Sequence, residues 1–148
     1  MNKLNILLGM SLLFYPASST AHFSIKDHFE IISKKYSLPK GLLSAMCYQE
    51  SRHNVHQKPV MDGGSYSYGI CQVKLMTARS VGFTGTRREL STAINNIEVA
   101  AKYLKTHLNV YNKDIKKAVI AYNAGHYSDK MKNSKHYKKV FKHWVEGR

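Results

Sequence analysis

Apolar residues recur at intervals of three and four along most of the chain, which is the spacing of one face of an α-helix. The pattern predicts a first helix capped by Ser24 and a second that begins near Pro39 and ends near Arg52. A short third helix is predicted over residues 72–80, with Gly82 as its stop. The predicted inward positions of the first two helices are Ile25, Phe29, Ile32, Tyr36, Leu42, Leu43 and Met46.

Three further helices are predicted in the second half of the chain. Asn95 and Glu98 have the spacing of a capping box ahead of an amphipathic stripe. Asp114 is the candidate N-cap of the next helix, and Gly125 is its predicted stop. The polar stretch over residues 54–68 is interpreted as a loop or a short hairpin. The inward positions are Ile97, Ala100, Ala101, Leu104, Leu108, Ile115, Ala118, Val119, Tyr122, Tyr137, Val140, Phe141 and Trp144. We therefore predict a mainly α domain of five or six short helices.

The first residues have the pattern of a signal peptide. Lys3 precedes a mostly apolar run over residues 4–15, and small residues then suit cleavage between Ala21 and His22. The run is shorter than the about 20 apolar residues that span a bilayer, although a short anchor helix is the alternative. We expect the 21-residue leader to be removed. Residues 22–148 would then form one exported domain in the periplasm or cell envelope, without stable membrane insertion.

The charge balance changes the expected partners rather than the expected fold. Of 148 residues, 23 are Lys or Arg and 9 are Asp or Glu, which gives a net charge of +14. Hydrophobic residues make up 43% and charged residues 22%, a composition typical of a globular domain. Such a protein attracts anionic polymers. Aromatic and basic residues interleave near the C-terminus, as in single-strand binders, but the aromatics have helical core spacing. We therefore expect no nucleic-acid partner.

The cysteines and histidines limit the possible bound groups. Cys47 and Cys71 are the only cysteines, and an oxidising compartment permits a disulfide between them. Such a bridge closes a loop of about 25 residues and contributes about 3 kcal/mol in the loop-entropy model; two buried free thiols are the alternative. His53 and His56 follow Glu50 in the order ExxHxxH, which lacks the geometry of an HExxH zinc site. We expect no metal and no cofactor.

Glu50 is the candidate catalytic residue. It lies seven residues after Leu43 and four after Met46, so helical geometry places a carboxyl group on the buried stripe. It is also near the predicted C-terminal end of its helix, where the macrodipole disfavours negative charge. Burial and the dipole both raise its pKa, as a general acid near neutral pH requires. A structural Glu bound by backbone amides or by Arg52 is the alternative.

The neighbouring motifs favour the catalytic interpretation. In chain order they are ES at 50–51, GICQV at 69–73, NI at 96–97 with YL at 103–104, and AYNAG at 121–125. With this order and spacing the chain resembles the catalytic domain of the soluble lytic transglycosylase (SLT) family, which is related in fold to goose-type lysozyme. The resemblance covers about residues 24–142, including His136-Tyr137 followed by Val140. It implies a small lysozyme-like helical domain with a loop or hairpin after the catalytic helix.

The resemblance also implies an activity, that of a peptidoglycan lyase with Glu50 as its sole catalytic carboxyl group. Glu50 would protonate the bond between N-acetylmuramic acid and N-acetylglucosamine, then accept a proton from the C6 hydroxyl as a 1,6-anhydro ring closes. Ordinary glycosidases use two carboxylates, so a lysozyme-type hydrolase that also uses Asp62, expected in a loop, is an alternative. A non-catalytic basic protein that binds peptidoglycan or another polyanion is the other.

Further site residues follow from the same resemblance. A Cys stands in GICQ where the family has Met, and Cys47 precedes Glu50 by three residues. This suggests a Cys47–Cys71 disulfide that fastens the Glu50 helix to the loop before Gln72. The residues implied to contact substrate are Ser51, Gly69, Gln72, Tyr103, Tyr122 and Asn123. Each has a simpler interpretation as a cap, turn, surface or core residue.

The size of the chain suggests a specialised member of the family. A small chain without accessory domains resembles the transglycosylases that open the wall for secretion, conjugation or pilus machines. General wall turnover and phage origin are the alternatives. We expect a monomer whose partner is the glycan strand of peptidoglycan.

Overall fold

The structure, a computed structural model, describes residues 23–147. The predicted signal peptide, its cleavage site and the alternative anchor helix lie outside these residues. The described elements are α1 (Ile25–Lys35), α2 (Leu42–Ser51), β1 (Val60–Asp62), β2 (Ser65–Tyr68), β3 (Val73–Lys74), α3 (Leu75–Ser80), α4 (Arg87–Leu90), α5 (Ala93–Val110), α6 (Ile115–Ala124), a 3₁₀ turn (Asp129–Met131) and α7 (Lys135–Glu146). This confirms a mainly helical, lysozyme-like domain with a short hairpin after α2.

The helix ends follow the capping residues in most places. Ser24 and Asp27 form a capping box at the start of α1, and Asp114 accepts a hydrogen bond from the Lys117 amide at the start of α6. Gly125, in the left-handed conformation, ends α6. These predictions are confirmed. The extra helix, α4, is a single turn and is too short to show an apolar period.

The predicted capping box at Asn95 and Glu98 is wrong. Helix α5 begins after Thr92, so both residues lie inside it. Asn95 donates its side-chain amide to the Glu89 carbonyl at 3.0 Å. Glu98 instead accepts a hydrogen bond from Lys35 of α1 at 2.7 Å. The same spacing of side chains also occurs inside helices. There the side chains can form hydrogen bonds with residues of other elements, as Asn95 and Glu98 do.

The stretch after α2 is a hairpin extended by a third strand. The strands are antiparallel in the order β1-β2-β3, with Met61 opposite Tyr66 and Tyr68 opposite Val73. The helix predicted from residue 72 is therefore wrong at its start, because Gln72 has a φ of +47° and α3 begins only at Leu75. A two-residue strand has no periodicity to detect.

Helix α5 lies at the centre of the core. It packs against α1, α2, α3, α4 and α6. Helix α2 packs in addition against α7. The predicted inward positions of α2, Leu42, Leu43 and Met46, are all buried. None of the described helices is long and apolar enough to cross a membrane. The packing holds α2 between α5 and α7, so the end of α2 is fixed relative to both.

A disulfide and several hydrogen bonds anchor the loop between β2 and β3, residues 69–72, which we call the anchored loop. Cys71 forms a disulfide with Cys47 of α2, with 4.2 Å between their Cα atoms, which confirms the expected pairing. The fully buried Asn96 accepts a hydrogen bond from the Cys71 amide at 2.7 Å and donates to the Tyr68 carbonyl at 2.8 Å. Gly69 has a φ of +70°, and a Cβ there would lie 2.6 Å from the Asn96 carboxamide. The loop is therefore held to both α2 and α5.

We expect the Cys47→Ala/Cys71→Ala double variant to lose about 3 kcal/mol of unfolding free energy, because the closed loop no longer restricts the unfolded chain. Urea unfolding of the oxidised protein and the variant measures the difference. Reductant should lower the stability of the natural protein and leave that of the double variant unchanged. Equal stabilities of the oxidised protein and the variant would contradict a stabilising role for the bridge.

Candidate active site

A cleft of about 630 Å³ opens between the hairpin and the helical core. Glu50, in the last turn of α2, lies at this cleft, and Tyr103 of α5 and Tyr122 of α6 line it as well. The hairpin contributes residues 60–62 and Ser67, and Gln72 and both residues of β3 lie on the same wall. The structure thus brings together side chains from four distant parts of the chain.

Burial dominates the electrostatics of Glu50. Its side chain is only 23% exposed, and the pKa of the carboxyl group is raised to about 7, first by burial and second by the charge of Asp62. Among residues 23–147, no backbone amide and no contact from Arg52 binds the carboxyl group; the Arg52 guanidinium lies 5.8 Å from the Tyr48 ring. The structural alternative for Glu50 therefore lacks its proposed partners. A carboxyl group that is partly protonated at neutral pH can donate a proton.

Two tyrosines lie beside this group. The ring centroids of Tyr103 and Tyr122 are 5.2 Å apart. Burial raises the pKa of the Tyr122 hydroxyl, and the charges of Glu50 and Tyr103 raise it further. Burial likewise raises the pKa of Tyr103. Both hydroxyls therefore remain protonated and available as donors at the cleft.

Gln72 and Asn123 also line the cleft, at the end of the anchored loop and in the last turn of α6. The Gln72 side-chain amide donates a hydrogen bond to the Gly69 carbonyl at 2.8 Å. This bond and the left-handed backbone of Gln72 fix the side chain against the loop. Asn123 is exposed. Both residues therefore form part of the cleft wall.

Ser51 and Gly69 have positions different from the other predicted site residues, because neither lines the cleft. The Ser51 hydroxyl donates to the Ile70 carbonyl at 2.6 Å, which joins α2 to the anchored loop. Gly69 faces the Asn96 carboxamide, where there is no room for a side chain. In the structure both residues position the loop that carries Gln72.

Asp62 lies at the end of β1, not in a loop as expected, and lines the cleft. The amino group of Lys74 is 3.0 Å from its carboxylate. The Asp62 side chain is 67% exposed and that of Lys74 is 34% exposed, so solvent screens the pair. This ion pair partly offsets the charge that Asp62 presents to Glu50.

Two residues near the site had no chemical role in the sequence analysis. His136 of α7 places its Nε2 atom 3.7 Å from Glu50 Oε1. Asn96 binds the anchored loop, as described above. Both occur in the motifs of the resemblance, and that is the only sequence signal they give. Their contacts depend on how α5 and α7 pack, which no local pattern shows.

The part of the chain that the structure describes holds no group of three or more His, Cys, Asp or Glu side chains placed to bind a metal ion. The fold and cleft are those of a small lysozyme-like domain, and within residues 23–147 one poorly exposed carboxyl group lies at the cleft. The family model of the transglycosylase SLT domain matches residues 27–145. The chain therefore belongs to the SLT transglycosylase family, whose glycosyl-cleaving enzymes act on peptidoglycan of the cell wall.

We expect Asp62→Asn to lower the pKa of Glu50, because a negative charge near the carboxyl group is removed. Lys74→Met should raise it, because the Asp62 charge then loses its counter-ion. Carboxyl ¹³C NMR titration of Glu50 in the two variants measures both shifts. Glu30→Gln, on the exposed face of α1, serves as a control that should leave the titration unchanged. Shifts of the same sign in Asp62→Asn and Lys74→Met would contradict this electrostatic assignment.

A raised pKa also predicts how stability depends on pH. The folded protein binds the Glu50 proton more tightly than the unfolded chain, so stability falls as pH rises from about 4.5 to about 7. Glu50→Gln removes this loss. We expect the variant to match the natural protein at pH 4 and to exceed its unfolding free energy by about 3 kcal/mol at pH 8. Urea unfolding of both proteins at the two pH values tests this. The same difference in unfolding free energy between variant and natural protein at pH 4 and at pH 8 would contradict the raised pKa of Glu50.

Proposed function

We propose that the protein is a lytic transglycosylase that cleaves the β-1,4 bond between N-acetylmuramic acid and N-acetylglucosamine, with Glu50 as general acid and then general base. The observation that carries this proposal is that, among residues 23–147, one carboxyl group at the cleft is poorly exposed and has a pKa raised to about 7. Such a group is present in both protonation states near neutral pH, so one residue can serve both steps.

In the first step, protonated Glu50 donates its proton to the glycosidic oxygen. The bond from this oxygen to C1 of the muramic acid breaks, N-acetylglucosamine leaves as an alcohol, and positive charge develops at C1 and the ring oxygen. Glu50 is left as a carboxylate. Gln72 and the hydroxyls of Tyr103 and Tyr122 line the same cleft and can hold the sugar. Orientation by such groups lowers the entropic part of the barrier.

In the second step, the Glu50 carboxylate accepts the proton of the C6 hydroxyl of the same sugar. The freed oxygen attacks C1 and closes a 1,6-anhydro ring, and Glu50 is protonated again. No water is consumed, so no second carboxylate is required to activate one. A mechanism with one carboxyl group agrees with the electrostatics of residues 23–147, where Glu50 is the one carboxyl group with a strongly raised pKa.

The hydrolase alternative has one specific observation in its favour, which is that Asp62 lines the cleft and its charge acts on Glu50. Ordinary glycosidases use a second carboxylate as nucleophile or to activate water. Against this, Asp62 is mostly exposed and paired with Lys74. We therefore assign Asp62 an electrostatic effect on Glu50 and not a bond-forming role. The two activities differ in their products.

The proposal extends to location and partners. Action on the cell wall implies an exported or envelope location. Removal of residues 1–21 at the Ala21–His22 junction, a mature catalytic domain over 22–148, a monomeric state and service to a secretion, conjugation or pilus machine remain predictions. A net charge of +14 favours contact with anionic wall polymers, the same property on which a purely binding function would depend.

Digestion of purified sacculi by the mature protein tests the proposal. Mass spectrometry of the released muropeptides should show 1,6-anhydro ends from the natural protein. Glu50→Gln keeps the side-chain volume but cannot donate a proton, so we expect it to lower the rate by about 10²–10⁴-fold, the contribution of general acid–base catalysis. Asp62→Asn should keep the same products.

The control is the Glu30→Gln variant, on the exposed face of α1, which should digest sacculi at the natural rate. Released muropeptides with reducing ends, which the Asp62→Asn variant no longer forms, would show the hydrolase instead. Binding to sacculi without any released product would show the non-catalytic alternative. Activity that survives Glu50→Gln would contradict the proposed mechanism.

A further inference from the structure

A histidine from the last helix approaches the candidate catalytic carboxyl group. His136 lies in the first turn of α7, a helix that contributes no residue to the cleft lining described above. Its Nε2 atom is 3.7 Å from Glu50 Oε1, and the two side chains are only 17% and 23% exposed. Nε2 is buried and has no hydrogen-bond partner within residues 23–147. A buried polar nitrogen that faces a reacting group calls for a partner.

The surroundings favour a neutral imidazole. Burial lowers the pKa of His136, and the charge of Lys139, three residues further along α7, lowers it more. On the other side, Asp62 of the hairpin raises the pKa of Glu50, while the nearby Tyr122 of α6 is uncharged at neutral pH. A neutral imidazole with its proton on Nε2 can donate one hydrogen bond toward Glu50.

We propose that His136 is a positioning residue for Glu50, whose Nε2–H donates a hydrogen bond to the carboxylate that forms when Glu50 has given up its proton. The imidazole keeps its own proton throughout, so Glu50 alone gives and accepts the proton of the reaction. A separation of 3.7 Å is slightly too long for a hydrogen bond, and catalytic hydrogen bonds commonly shorten only when substrate is bound. This inference depends on the proposed function.

The chemistry of the cycle explains why such a donor is needed. Burial and the charge of Asp62 both oppose a negative charge on Glu50, which helps proton donation but disfavours the carboxylate of the second step. A donor from α7 stabilises that carboxylate without placing a positive charge beside the reacting oxygen. A hydrogen bond to a charged group has an effect of about tenfold or more on an equilibrium or a rate.

Two substitutions separate a hydrogen-bond role from a packing role. We expect His136→Leu to lower kcat about tenfold on purified peptidoglycan, with KM nearly unchanged, because the donor is lost. The alkaline limb of the kcat profile should move to higher pH, since the carboxylate is less stabilised. His136→Gln, whose amide can donate, should keep most of the activity. The matched control is His143→Leu, because His143 lies on the same helix and its ring packs against Tyr48. This variant should change neither kcat nor the pH of the alkaline limb.

Equal losses in the Leu and Gln variants without a shift of the limb would assign His136 to packing alone. No loss in either variant would overturn the proposal as well. Should His136→Leu fail to fold in a thermal unfolding test, ring NMR of the natural protein still decides. The ring resonances of His136 should shift with pH as Glu50 titrates, and this shift should vanish in Glu50→Gln. If the natural protein shows no such shift, the proposal is overturned. Activity that survives Glu50→Gln would instead refute the proposed function, whatever the His136 variants do.

Discussion

The chemistry at the cleft depends on keeping the carboxyl group of Glu50 out of bulk water while leaving it open to a substrate. Burial raises its pKa to about 7 and thereby makes it a proton donor near neutral pH. The same burial makes the ionised form of Glu50 unfavourable in the folded protein. The remainder of the fold must therefore stabilise the C-terminal end of α2, where Glu50 lies. Packing of α2 between α5 and α7 supplies that stability, because Leu42, Leu43 and Met46 of α2 are buried.

The loop that carries Gln72 is held by contacts that are independent of the cleft. A covalent bridge joins it to α2, the buried carboxamide of Asn96 binds two of its backbone groups, and the Ser51 hydroxyl binds a third. A short loop with so many fixed points loses little further entropy when a ligand binds. The disulfide further suits an oxidising compartment, which agrees with an enzyme that acts on the cell wall.

Two electrostatically different groups approach Glu50, one from the hairpin and one from α7. Asp62, on the hairpin, carries a negative charge that solvent and Lys74 partly offset, whereas His136, on α7, contributes a neutral ring with a buried nitrogen. Asp62 raises the pKa of the Glu50 carboxyl group, and His136 places a ring nitrogen 3.7 Å from one of its oxygens. Because the hairpin is exposed and α7 is packed, the first effect is screened by salt more strongly than the second.

Local patterns were sufficient for most of the helices, for the caps at Ser24 and Asp114, and for the low exposure of Glu50, because a period of 3.6 residues and a capping side chain act over one or two turns. They were insufficient for the two-residue strand after Gln72 and for the place of Glu98, which binds Lys35 rather than capping a helix. Ser51 and Gly69 could be assigned to the site region but not to the loop contacts they make. The approach of His136 to Glu50 arises only when α7 packs on α2, and contacts between residues so distant in the chain are set by the packing of whole helices, not by the sequence around either residue.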